Sequence, residues 1–213
     1  MKTDQLIAML ASGAEAVEPC AWRRRYAAVA TGGLAVATVL MLLLLGPRDD
    51  LVEAVRLPMF WVKQVFPLLL AIAAFAGVAR LSRPGVALGA VPRWLTVPVV
   101  IIWVLALFEL LQAAPGTRSD LLFGDTWAYC LFYVTLFSLP ALAGFFAVMR
   151  TLAPTRLALA GGVAGLLAGT IGASAYSIHC PELQAPFIGI WYLAGMLIPA
   201  FFGFIAGPRL LRW

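Results

Sequence analysis

Three cysteines and a single histidine are the residues of this chain best suited to redox or metal chemistry. Cys130 stands alone in an apolar stretch, whereas Cys180 directly follows His179 and precedes Pro181. Two thiols can form a disulfide in an oxidising compartment, and thiolates with an imidazole are ligands that suit zinc or copper. The spacing contains no CxxC or HxxxH motif that would define either site. What the cysteines can do therefore depends on the elements that position them.

The composition indicates that those elements lie in a lipid bilayer. The chain has 213 residues, of which 63% are hydrophobic and 12% charged, and its mean hydropathy is +0.96. Soluble domains carry about 25% charged residues, and a soluble core of this size could not bury so much apolar surface. The same values exclude a disordered chain and argue against direct binding of nucleic acid.

Six apolar segments have the roughly 17–25 residues that a membrane-spanning helix needs. We therefore predict an all-α, polytopic membrane protein with six transmembrane helices, which divides into a tail (1–26) and a membrane domain (27–213). The first helix is too long for the apolar region of a cleaved signal peptide, which favours an uncleaved anchor. The predicted spans are residues 27–45, 60–79, 94–111, 127–149, 157–178 and 186–206.

Basic residues are divided unevenly between the two sides of such a bundle. Eleven lie in the amino-terminal tail, the second and fourth connections and the carboxyl terminus, whereas four lie on the other side. Those four are Arg48, Arg56, Lys63 and Arg118. Because basic residues stay on the cytoplasmic side, we predict that both termini are cytoplasmic and expect a bacterial inner membrane.

This topology places Cys130 and Cys180 together at the exterior end of the bundle. Three interpretations remain open there: a redox pair, a metal site that also uses His179, and small apolar packing residues. Cys180 is expected to close the fifth span, facing inward if the helix extends that far. Cys20 lies in the cytoplasmic tail and is assigned no role. Glu109 near the outer end of the third span either handles protons or metal, or reaches the interface.

The fifth span carries a stripe of small residues, Gly161, Gly165 and Gly169. Such a stripe lets helices approach closely in lipid. It favours packing within the bundle, with a homodimer as the alternative.

The amino-terminal tail contains a short segment with helical periodicity. Thr3 is a candidate cap, Asp4 suits the first turn, and Leu6 and Leu10 recur at helical spacing with Ile7 beside them. So short a helix is marginal alone in water. It either lies on the lipid surface or is presented to a cytoplasmic protein.

Several segments together resemble the NrsF family of six-helix inner-membrane anti-sigma factors. The resemblance extends over the whole chain and is most specific in the Tyr-x-x-His-Cys-Pro segment, which begins at Tyr176. The segments are Ala153-Pro154-Thr155, the glycine-rich helix from Gly161 to Gly169, Tyr176 to Pro181, Trp191-Tyr192 and Leu210-Leu211-Arg212-Trp213, with a tail that looks like the family's amino terminus.

The resemblance implies a sensor that is not an enzyme and regulates transcription under stress. In that family the cytoplasmic tail holds an extracytoplasmic-function (ECF) sigma factor, which here would involve Asp4, Leu6, Ile7 and Leu10. The family's two periplasmic cysteines, which respond to oxidants or heavy metals and release the sigma factor, match Cys130 and Cys180. No resident cofactor is implied, and zinc or copper would act only as a transient signal.

A physical account of the switch follows from these expectations. A bond or shared metal between the cysteines would fix the fourth span against the fifth, and the glycine stripe would give those helices a two-position interface. Reversing a 1:99 equilibrium needs about 5.5 kcal/mol of differential stabilisation.

The rival functions are a membrane thiol–disulfide oxidoreductase and a small transporter. Against the first, this chain has no CxxC motif; against the second, its spans carry few buried charges and show no clear inverted repeat.

Overall fold

The computed structural model describes residues 3–12, 21–83, 85–152 and 154–212, and every regular element in these ranges is helical. The helices are α1 (Thr3–Ser12), α2 (Ala21–Leu44), α3 (Leu51–Ala54), α4 (Pro58–Leu81), α5 (Val91–Gln112), α6 (Arg118–Phe123), α7 (Trp127–Arg150), α8 (Leu157–Tyr176), α9 (Ala185–Phe187) and α10 (Leu193–Leu210). A 3₁₀ turn (Pro115–Thr117) precedes α6, and a π turn (Ile188–Tyr192) joins α9 to α10.

The six predicted spans are confirmed within the described part of the chain. They correspond to α2, α4, α5, α7, α8 and the continuous stretch Ala185–Leu210, each long and apolar enough to cross a membrane. The first span begins at Ala21, so the predicted boundary between residues 26 and 27 falls inside α2. Tyr26 is fully buried there and belongs to the core. The orientation across the membrane stays a prediction.

Helix α8 lies at the centre of the bundle and packs against α2, α4, α7 and α10. Its glycine stripe faces α10: a Cβ at Gly161 or Gly165 would collide with the backbone of Gly203 or Pro199. Close backbone approach replaces the hydrophobic effect as the source of helix association in lipid. The stripe is therefore covered within the chain, as the packing interpretation predicts, and is not free to form a dimer.

The expectation that this stripe joins the fourth and fifth spans is wrong. The stripe joins α8 to α10, and α7 meets α8 through Gly172, where a Cβ would strike the backbone of Val134 and Ser138. Gly172 is three residues beyond Gly169 and lies on the same side of α8, but nearer the end of the helix this side meets α7 instead of α10. A stripe of small residues identifies a close contact but not the helix that makes it.

Helix α8 also ends earlier than expected, at Tyr176, so that Cys180 lies beyond the helix. The amides of His179 and Cys180 both donate to the Tyr176 carbonyl, at 3.0 and 3.1 Å, which closes a tight turn. Pro181 disfavours the helical conformation for the residue before it, which explains why Cys180 leaves the helix. Cys180 is nevertheless fully buried.

We predict that Gly165→Ala destabilises the bundle by about 1–3 kcal/mol, because the added Cβ overpacks against the α10 backbone. Gly32→Ala is the matched control: nothing lies within 4 Å of that Cβ position. There, the better helix propensity of alanine should stabilise by up to about 1 kcal/mol. Thermal unfolding in detergent micelles measures both changes. Equal effects of the two substitutions would contradict the α8–α10 interface.

Candidate functional site: the cysteine end of the bundle

The six spans alternate in direction, so three connections meet at the end of the bundle that holds Cys130 and Cys180. We call this end the cysteine end; it comprises residues 45–57, 113–126 and 177–184 and the adjoining helix turns. Cys130 lies in the first turn of α7, and its amide donates to the Thr126 carbonyl at 2.8 Å. The structure thus brings the two cysteines to one end of the molecule.

Both thiols are free and have no exposed surface. They lie close enough for a charge on Cys180 to act on Cys130. The Thr126 hydroxyl is 4.0 Å from the Cys180 sulfur, which places the end of α7 beside the turn that follows α8. Two buried thiols at one end of a bundle can form a disulfide or take up a soft metal ion if their sulfurs meet.

His179 does not join the two cysteines in a metal site. Its Nδ1 lies 3.0 Å from the Gly46 carbonyl, so the ring is held against the connection that follows α2. Among the described residues, no three His, Cys, Asp or Glu side chains are grouped as metal ligands. The predicted set Cys130, Cys180 and His179 is therefore not assembled in the described part of the chain.

A lysine that the sequence reasoning used only for topology lies at the centre of this end. Lys63, in the second turn of α4, has no exposed surface. Its ammonium donates to the carbonyls of Cys180 and Glu182, at 2.6 and 2.8 Å, and lies 5.1 Å from the centre of the Tyr192 ring. The cost of a charge inside a spanning helix was the signal that could have identified this residue.

Two tyrosines, Tyr176 at the end of α8 and Tyr192 in the π turn, lie near the cysteines. Tyr176 and Tyr192 are both within electrostatic range of the two sulfurs. Their ring centres are 6.2 Å apart, and Tyr176 stacks on Tyr133 at 5.9 Å. The Tyr192 hydroxyl is buried and interacts with the Cys180 side chain.

Two carboxylates at this end accept hydrogen bonds from backbone amides. Glu182 accepts from the Asp125 amide at 3.0 Å and from the Thr126 hydroxyl at 3.5 Å. Glu109 accepts from the Ala185 amide at 2.9 Å. This bond satisfies one of the free amides at the start of the sixth span, so Glu109 acts as a cap.

An ion pair between a largely buried arginine and an exposed aspartate fastens the first connection to the Cys180 turn. The Arg48 guanidinium holds Asp50 through two bonds of 2.5 and 2.6 Å and lies 3.5 Å from the Cys180 carbonyl. Arg48 keeps the pKa of the Asp50 carboxyl below its usual range. The ion pair therefore persists until the pH falls below the pKa of an ordinary aspartate. Its stabilisation of the fold is lost as Asp50 becomes protonated.

The predicted tail residues are only partly described. Helix α1 is present, and Asp4 and Ile7 are exposed on it. The side chains of Leu6 and Leu10, and all of Cys20, lie outside the described residues.

We predict that oxidation forms one intramolecular disulfide between Cys130 and Cys180 in a Cys20→Ser background. Both cysteines are buried at the same end of the bundle, and a disulfide needs Cα atoms within roughly 4.4–6.8 Å. Mass spectrometry of peptides from the non-reduced protein detects the cross-linked pair. Disulfides that form only between two chains would show that the thiols are too far apart.

Six membrane-spanning helices and a buried thiol pair beside a buried lysine define a multi-pass membrane protein with a thiol site at one end. The family model described as "Negative regulator of sigma F" (NrsF) matches residues 10–213. The chain therefore belongs to the NrsF family, as the sequence resemblance indicates.

Two curated relatives match along their full length. The "Probable anti-sigma-F factor NrsF" of Azospira oryzae is 52% identical over 213 residues, which covers 100% of both chains. The "Anti-sigma-F factor NrsF" of Caulobacter vibrioides is 38% identical over 218 aligned positions, again with 100% coverage of both. Both names describe regulators and not enzymes. No solved structure matches the chain.

Proposed function

We propose that this chain is a membrane anti-sigma factor that holds an ECF sigma factor and releases it when the cysteine pair is oxidised or binds a heavy metal. The observation that carries the proposal is the full-length match to two proteins named anti-sigma-F factors. The buried pair of free thiols at the cysteine end supplies a group able to receive the stimulus.

The sigma-binding element in this proposal is α1. A helix of ten residues is marginal in water by itself and gains stability on a partner surface. Ile7 is 59% exposed, which leaves an apolar side chain available for contact. Asp4, Leu6 and Leu10 complete the predicted set. An amphipathic helix in a groove of the sigma factor is the recognition mode that this segment suits.

The oxidative stimulus in this proposal is a two-electron oxidant such as hydrogen peroxide. The two thiols lose two protons and two electrons, the sulfurs of Cys130 and Cys180 bond, and the peroxide becomes two molecules of water. In the metal alternative, a soft ion such as copper or zinc displaces both protons and binds the two thiolates. A further ligand from His179 would have to be Nε2, because Nδ1 lies against the Gly46 carbonyl.

A contiguous set of contacts supports coupling between the cysteine end and the tail. The Cys180 carbonyl binds Lys63 on α4, and at the opposite end of α4 Ser82 shares a hydrogen bond of 2.8 Å with Tyr26 on α2. Helix α2 follows the tail directly in sequence. Movement of the Cys180 turn on oxidation would therefore be transmitted through α4 to the helix that carries the tail.

We predict that Leu6→Ala/Leu10→Ala reduces the amount of sigma factor that co-purifies from the native host by about tenfold or more, because apolar anchors dominate such interfaces. Val52→Ala/Val55→Ala is the matched control, since it truncates two exposed apolar side chains in the α2–α4 connection. It should leave co-purification unchanged. The absence of any sigma factor with the wild-type chain would overturn the proposal.

Cys130→Ser and Cys180→Ser should each abolish release of the sigma factor by peroxide or by a heavy metal. Removal of one sulfur prevents both the disulfide and the paired-thiolate site. Cys20→Ser should respond like the wild-type protein. A transcriptional reporter of the sigma factor measures the response in the native host. An unchanged response in both single variants would assign the two cysteines to packing alone.

A further inference from the structure

The buried charge of Lys63 is not explained by the contacts that it makes. Its ammonium has two carbonyl acceptors and one aromatic ring, but it forms no ion pair with a carboxylate among the described residues. A buried charge is normally paired, since removing an ion from water costs several kcal/mol. A buried lysine without a carboxylate partner therefore indicates that another group near it becomes negatively charged.

The charged and titratable groups around Lys63 leave few candidates for that anion. The Glu182 carboxylate is turned toward Asp125 and Thr126, and Arg48 is a second cation, paired with Asp50. The remaining acids on the packed elements are the phenols Tyr176 and Tyr192 and the thiols Cys130 and Cys180, all within electrostatic range of one another. Thiols release a proton more readily than phenols, because the ordinary pKa is about 8.5 for cysteine and about 10 for tyrosine.

We propose that Lys63 is the built-in counter-charge for a thiolate of the Cys130–Cys180 pair. Lys63 is then a positioning residue: it favours the nucleophilic form of a thiol that burial alone would keep protonated. The inference rests on the proposed function for its biological meaning, whereas the chemistry concerns the purified chain by itself.

The thiolate enters the oxidation in two balanced steps. It attacks one oxygen of the peroxide, which yields a sulfenic acid and hydroxide, and the second thiol then displaces that oxygen as water to form the disulfide. The first step removes the negative charge from the sulfur as hydroxide. Lys63 is then left with the carbonyls of Cys180 and Glu182 alone. Oxidation would thereby destabilise the Cys180 turn that Lys63 holds.

The test is an ultraviolet titration of thiolate in the full-length Cys20→Ser protein in micelles. The spectrum of the chain that also carries Cys130→Ser/Cys180→Ser is subtracted to remove the tyrosine contribution. Lys63→Met, which keeps the length of the side chain without its charge, should raise the midpoint of the first thiolate by about one pH unit or more. Lys63→Arg retains a charge and should remain closer to the wild type than Lys63→Met.

Equal midpoints in wild type and Lys63→Met would overturn the inference, provided that both unfold at similar temperatures. If Lys63→Met does not fold, the titration of the wild-type protein alone tests the inference. A buried thiol without a counter-charge would stay protonated beyond about pH 10, whereas a thiolate below that pH supports the inference. The titration needs no sigma factor, so failure of this inference and failure of the proposed function are distinguishable.

A second, independent observation concerns the opposite end of the bundle. A cavity of about 600 Å³ opens there between the starts of α2 and α5 and the end of α4, and its lining includes Arg23, Arg80 and Arg83. The guanidinium carbons of Arg23 and Arg83 lie 5.3 and 4.8 Å from the centre of the Trp22 ring. None of these arginines forms an ion pair with a carboxylate in the part of the chain that the structure describes.

Two further features suit a lipid in this cavity. The Trp22 indole N–H is buried without an acceptor among the described residues. Phe75 also lines a second, apolar groove of about 330 Å³ between α2, α4 and α8, with Leu34, Leu68 and Leu167 in its walls. A basic, aromatic-rimmed cavity that continues into an apolar groove matches a phosphate headgroup with an acyl chain.

We infer that this cavity binds the headgroup of an anionic phospholipid. Native mass spectrometry of the full chain, in micelles with equal phosphatidylglycerol and phosphatidylcholine, should show the anionic lipid retained about tenfold or more over the zwitterionic one. Arg23→Gln/Arg80→Gln/Arg83→Gln should abolish the preference.

Arg118→Gln/Arg209→Gln/Arg212→Gln is the matched control, because it removes the same charge from exposed positions outside the cavity. It should retain the preference. Equal retention of the two lipids by wild type, equal loss in both triple variants, or displacement of the lipid by millimolar inorganic phosphate would overturn the inference.

Discussion

The ammonium of Lys63 and the two carbonyls that it binds connect the elements of the cysteine end. Through Cys180 and Glu182, Lys63 fixes the turn between α8 and the sixth span against α4. The same turn receives Arg48 from the first connection and places Cys180 beside the start of α7. A buried ammonium tolerates few alternative positions in a low-dielectric interior. The turn is therefore held in one arrangement by an electrostatic requirement as well as by packing.

The packing around α8 makes this end sensitive to small changes. Gly161, Gly165 and Gly169 bring α8 so near to α10 that methyl groups could not be inserted, and Gly172 does the same toward α7. Close-packed helices shift between discrete arrangements and do not deform gradually. A covalent or electrostatic change at Cys180 would thus be converted into displacement of whole helices, including α4, whose Phe75 packs against Tyr26 on α2.

Much of this arrangement could be predicted from the sequence. Apolar length alone identified the six spans, and alternation of the spans placed Cys130 and Cys180 at one end. The end of α8 at Tyr176 was predicted less accurately, because Pro181 is compatible with a helix that ends at any of several residues before it. The role of Lys63 was not predicted because its partners are backbone carbonyls more than a hundred residues away, and composition carries no information about such contacts. The helix that packs against the glycine stripe was predicted wrongly for a similar reason.

The central claim of the account is that the redox state of the Cys130–Cys180 pair governs binding of the sigma factor. The most direct measurement is the affinity of the purified Cys20→Ser chain for its sigma factor, first with the pair reduced and then with the pair in a disulfide. The account predicts tight binding in the reduced state, release on oxidation and recovery after reduction. Equal affinity in the two states would contradict it.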